Sequence, residues 1–141
     1  MVALARRMDL FSIVYVATPE EAVEMAKAGA DAIIAHVGTT VGGSIGVKNA
    51  VVSWDHTLQV TQDIINAAQQ VRKDIFFLCH GGPINTPADA ARVIDHTDAV
   101  GFVGASSLER MGVEDSLTSL TRTFKSLKAP AAQHGAPNGE R

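Results

Sequence analysis

One helix start occurs twice, each time shortly after an apolar segment of strand length. Thr18-Pro19-Glu20-Glu21 follows the run Phe11 to Ala17, and Thr86-Pro87-Ala88-Asp89 follows Ile75 to Leu78. In both, the threonine suits the N-cap, and proline suits the first helical position, where no N–H is needed. The acidic residue at the third position completes a capping box. A chain that alternates short β-branched runs with capped helices builds βα units, and successive βα units imply a parallel sheet.

The units can be read along the whole chain. The Phe11 to Ala17 run is apolar throughout, as expected of a strand buried on both faces of a parallel sheet. The helix from Thr18 ends at Gly29, and Asp31 to Val37 is the second strand. A long turn through Gly38, Gly42, Gly43 and Gly46 leads to a helix from about Asp55 to Arg72. Its Leu58, Thr61, Ile64, Ile65, Ala68 and Val71 form one stripe, the face expected to pack on the sheet. Ile75 to Leu78 and Ala99 to Val103 are the third and fourth strands. The last helix runs from about Val113 to Leu127, with Leu117, Leu120, Phe124 and Leu127 on one face. Asp31-Ala32-Ile33 and Asp98-Ala99-Val100 open strands two and four alike, a weak internal repeat. The fold class is therefore α/β, a (βα)4 chain amounting to half of a (βα)8 barrel, a fold of about 250 residues.

Composition fits one domain. The 141 residues are 46% hydrophobic and 19% charged, enough to bury a real core. Residues 1–128 are expected to form it, and the Ala-, Pro- and Gly-rich stretch 129–141 to be a disordered tail. A net charge of -3 without any basic run gives no reason to expect nucleic acid or a membrane as partner. The single Cys79 excludes an internal disulfide framework and points to a reducing compartment. Arg6-Arg7 followed by Leu10 to Ala17 superficially resembles a signal peptide. Asp9 and Ser12 interrupt the apolar run and no small-x-small pair follows, so a soluble, cytoplasmic protein is expected.

Two glycine-bearing turns follow the last two strands: Cys79-His80-Gly81-Gly82-Pro83 and Gly104-Ala105-Ser106-Ser107. In (βα)8 barrels the loops after strands seven and eight frequently hold a phosphate. If these are those strands, the amides of Gly81, Gly82, Ala105, Ser106 and Ser107 are the natural donors. The alternative is that the glycines merely allow tight turns. His36 and His80 fall at strand C-terminal ends, where barrel chemistry takes place, and imidazole titrates near neutral pH. They suit a general acid and base, metal ligands, or simply structural roles. The loop from Gly38 to Ser53 is long enough for a lid whose Thr39, Thr40, Gly42, Gly43, Ser44 and Lys48 bring hydroxyls and a cation to an anion; the alternative is a solvated turn. Glu109 is a third candidate catalytic group. Arg110 is a candidate anion clamp, or else a surface ion-pair partner. His56 and His96 suit helix ends, His134 lies in the tail, and Trp54 and Cys79 read as packing residues.

Four segments carry a resemblance: Lys27-Ala28-Gly29-Ala30-Asp31, His36 to Gly46, Cys79-His80-Gly81-Gly82-Pro83-Ile84, and Gly104 to Arg110. Over nearly the whole chain to Leu127 they resemble the C-terminal half of the TIM-barrel family named for phosphoenolpyruvate hydrolase. The resemblance implies a phosphoenolpyruvate-binding TIM barrel, described both as a hydrolase and as a signal-transduction domain, with its ligand site on these motifs. Members look about twice as long, so strands one to four and any groups on them are missing here.

The expected activity is that of a hydrolase or lyase acting on a small phosphorylated acid, with Mg²⁺ a candidate cofactor. The alternatives are a non-catalytic ligand-binding module and an inactive half barrel. Edge strands and open inner faces predict pairing, either as a homodimer or with a chain carrying the missing half.

Overall fold

The computed structural model describes residues 1–41 and 52–126, without the side chains of Arg110 and Met111. The elements run α1 (Val2–Arg7), β1 (Ile13–Val16), α2 (Pro19–Ala28), β2 (Ala32–His36), α3 (Trp54–Gln69), β3 (Phe76–His80), α4 (Pro87–His96), β4 (Gly101–Phe102), a π-helical turn (Ser107–Met111) and α5 (Gly112–Lys125). The strands form one parallel sheet in the order β1-β2-β3-β4. The expected (βα)4 chain is thus observed. The expected tail, residues 129–141, lies outside the described residues.

Caps begin the helices where expected. Thr18 Oγ1 accepts from Glu21 N at 3.2 Å, and the Glu21 carboxylate accepts from Ala17 N at 2.7 Å, one residue before the N-cap. Around α4 the capping box is complete. Thr86 Oγ1 accepts from Asp89 N (3.2 Å), and Asp89 Oδ2 accepts from Thr86 N (2.9 Å). Gly29 closes α2 at φ +95°, a left-handed conformation that costs glycine little.

The sheet buries one face under helices. Val16, Ile33, Ala35, Val37, Phe77 and Cys79 alternate onto it and pack with Ala22 and Ala26 of α2, Ile64, Ile65 and Ala68 of α3, and Val93 of α4. Thr57 and Thr61 are also fully buried on α3, their hydroxyls donating to Ser53 O (3.0 Å) and Thr57 O (2.8 Å). Burial of Thr57 was not expected, and Val71, expected on the same stripe, is exposed.

The other face departs from expectation. β1 is not buried on both sides: Ile13 and Tyr15 are 55% and 52% exposed, as is Phe76 of β3 at 58%. Only Ala32 and Ile34, in the middle of the sheet, are screened by their strand neighbours. The physical reason is strand number. Four strands cannot close a ring, so side chains that would fill a barrel interior meet solvent.

Three boundaries also differ. α1 has no counterpart in the sequence reading. β3 continues through Cys79 and His80, because it pairs with β2 as far as His36↔His80, so these two residues are strand and not turn. The last helix begins earlier, as a π-helical turn at Ser107.

Candidate functional site

β2 and β3 end on their histidines. Register sets His36 beside His80, with ring centroids 5.2 Å apart, and Tyr15 of β1 lies edge-on to both at 5.9 and 5.2 Å. All three belong to the sheet face opposite the helices, since they alternate with core residues Val16, Ala35, Val37 and Cys79.

The hydrogen bonds define the protonation of each ring. Val103 O lies 2.7 Å from His80 Nδ1. A carbonyl can only accept, so Nδ1 carries the proton and Nε2 keeps its lone pair. At His36 the opposite holds: Gly38 N–H donates to Nδ1 at 3.3 Å, leaving the neutral ring's proton on Nε2. Two adjacent imidazoles therefore offer one donor and one acceptor, the pairing that general acid–base transfer requires.

The turns beyond the strands are tied together. Gly82 N donates to Gly38 O (2.9 Å), Val41 N to Gly82 O (3.0 Å), and Asn85 Nδ2 to Val41 O (2.7 Å). Gly81 and Gly82 have φ of +85° and +54°, and a Cβ at Gly81 would run into Gly38 O. This corrects one expectation. Gly82 N–H is used inside the protein and is not a phosphate donor, because the two loops need it to hold each other.

The other predicted residues take these places. β4 pairs with β3, so the Gly104, Ala105, Ser106 and Ser107 turn lies next to the Gly81 turn at one end of the sheet. Ser106 and Ser107 open the π-helical turn, where the first amides of a helix have no partner within it. Glu109 is exposed on that turn, its N–H donating to Ala105 O at 2.8 Å. Gly42, Gly43, Ser44 and Lys48, and the Arg110 side chain, lie outside the described residues. Cys79 is fully buried, and burial pushes its thiol up to about 11, an inert packing residue. Trp54 packs under Arg92, whose guanidinium sits 4.5 Å from the ring centroid. His96 caps its own helix, with Nδ1 2.8 Å from Arg92 O. Among the described residues no group of three His, Cys, Asp or Glu side chains is placed to hold a metal ion. No described helix is long and apolar enough to cross a membrane.

Sequence reasoning missed Tyr15. Its period-two alternation with Ile13 was visible, but its place beside the histidines follows from register across three strands.

Parallel strands alternating with helices, with ionisable side chains at the strand C-terminal ends, define the class: an α/β protein of the TIM-barrel type, in half-barrel form. The chain belongs to the phosphoenolpyruvate hydrolase-like family, whose profile matches residues 1–127. Two tomato (Solanum lycopersicum) proteins, the ToMV susceptible protein tm-1(GCR26) and the ToMV resistance protein Tm-1(GCR237), are each 47% identical to it over 128 residues. The match takes in 90% of this chain and 17% of each relative, so the chain spans about a sixth of their length. Among solved structures, the N-acetylmannosamine-6-phosphate 2-epimerase of Clostridium perfringens superposes with a TM-score of 0.53 at 18% identity. That superposition covers 88% of this chain and 46% of the epimerase, a likeness of fold alone.

Proposed function

We propose that the chain carries the acid–base half of an active site for a small phosphorylated acid of the phosphoenolpyruvate type. The observation that supports it is the complementary protonation of His36 and His80 at the strand ends. Membership of the phosphoenolpyruvate hydrolase-like family adds the substrate class.

In this reading the phosphate rests on the amides of Gly81, Ala105, Ser106 and Ser107. His80 Nε2 accepts a proton from the attacking water as its oxygen bonds to phosphorus. The bridging P–O bond breaks, and its electron pair leaves with the enolate. His36 Nε2–H then supplies the proton that converts the enolate to pyruvate, and solvent carries His80's proton back to His36. Mg²⁺ belongs to the assay as a counterion to the substrate's own oxygens.

The test is release of pyruvate and phosphate from phosphoenolpyruvate with Mg²⁺. Turnover above that of the His36→Ala and His80→Ala variants supports the reading, and equal rates reject it.

A second reading is a module that binds the same ligand without turnover. It is favoured by relatives that are named for ToMV susceptibility and resistance and not for a reaction. Calorimetry separates the two: saturable binding of phosphoenolpyruvate with no product identifies the module.

A further inference from the structure

We propose that two copies of this chain close one eight-stranded barrel, β4 of each beside β1 of the other, with the apolar stripe of α5 lying in its partner's α1–β1 groove.

The sheet order leaves β1 and β4 as its outer strands. Both run parallel to the rest, so a partner's β1 placed next to β4 continues the order already present. A two-fold axis along the barrel then makes the same seam twice and leaves no edge. Eight is the strand number at which side chains just fill a barrel interior.

Two further features meet at that seam. Val113, Leu117, Leu120 and Phe124 of α5 are spaced four, three and four residues apart and are 52%, 61%, 56% and 64% exposed. Such a narrow line of large apolar side chains is the seam of a helix-to-helix contact. At the opposite edge of the sheet, a groove of about 430 Å³ runs between α1 and the start of β1, lined by Val2, Leu4, Met8, Leu10 and Val14 among others. An apolar helix following the last strand and an apolar groove flanking the first are the two sides of one contact. Because one chain carries both, the occupant they fit is a second copy, and the two-fold satisfies both without a third.

The partner also completes the site. Ile13, Tyr15 and Phe76, exposed on the open sheet face, would face their counterparts across a closed interior. Tyr15, His36 and His80 of both copies would then sit at one end of that interior. The assembly is read from edges and helices and not from the histidine chemistry, so mass and cross-links report it whether or not turnover occurs.

The test uses the full chain at micromolar concentration in light scattering after gel filtration. The expected mass is twice the chain's 14.8 kDa. Leu117→Asp with Leu120→Asp changes only exposed positions, so the circular dichroism should persist while the mass falls to one copy. A Leu117→Cys copy mixed with a Leu4→Cys copy should be joined by a short bismaleimide. A single-copy mass for the unaltered chain overturns the proposal, as does an open-ended aggregate. So does a dimer that survives both aspartates, or one in which Leu117→Cys cross-links to itself and not to Leu4→Cys.

Discussion

His36 and His80 occupy paired positions of adjacent parallel strands, and hydrogen bonds to Gly38 N and Val103 O leave one ring presenting a proton and the other a lone pair. The pairing makes the site testable without dismantling the fold.

His80→Asn keeps a side-chain N–H for Val103 O and removes only the distal nitrogen. If His80 Nε2 is the base, turnover falls about 100- to 10,000-fold, the range for loss of a general base. The thermal midpoint should move by less than about 4 °C, since no buried contact is lost. Turnover equal to that of the unaltered chain would remove His80 from the mechanism.

Asp31 ties β2 to β1: its Oδ2 accepts from Ser12 N (2.8 Å) and Ser12 Oγ (2.9 Å). The bond from the Ser12 amide, then that from its hydroxyl, holds the Asp31 carboxyl below its ordinary 3.8, with Arg72 and Arg6 adding smaller pulls. A depressed folded pKa means the stabilisation is full above the unfolded value and is lost as pH falls through the folded one. Asp31→Asn should therefore melt lower than the unaltered chain at neutral pH, and the gap should narrow only below the ordinary value. Urea melts at several pH values check this; a gap independent of pH down to 2 contradicts it.

Gly81 and Gly112 should respond to alanine with opposite signs. At Gly81, φ is +85° and the new Cβ meets the Gly38 carbonyl, so Gly81→Ala should cost at least about 1–3 kcal/mol. At Gly112, φ is -62° within a continuous helical stretch and a Cβ meets nothing within 4 Å. Gly112→Ala should gain about 0.5–1 kcal/mol from helix propensity. Denaturant midpoints with unchanged slopes would report both, and equal signs would refute the conformational argument.

Cys79 should be silent in the folded protein. Its thiol, pushed by burial from 9.0 up to about 11, holds roughly 100-fold less thiolate at pH 8 than an exposed one. Labelling by a disulfide reagent should follow the rate of unfolding, reaching one thiol per chain in denaturant. Fast labelling of the native chain would show that β3 opens locally.

The sequence by itself determined what depends on neighbours a few residues away. Thr18 and Thr86 with their prolines and acidic third residues set where α2 and α4 start, and Gly29 stops α2, because caps and left-handed turns are satisfied within one helical turn. Alternation of strands and helices likewise determined the parallel (βα)4 order. It also placed His36 and His80 at strand ends and the Gly81 and Gly104 turns beyond them. Tertiary structure decided what depends on register and on which strands are present. Only pairing of β2 with β3 extends the strand through His80 and sets it against His36, and only the loop-to-loop bond to Gly38 O takes Gly82's amide from any ligand. The same holds for Tyr15, whose place beside the histidines is fixed by β1 pairing with β2, and for the α5 stripe. A helical period shows that a face is apolar but not what covers it, since burial is settled by distant segments and by the number of strands that meet.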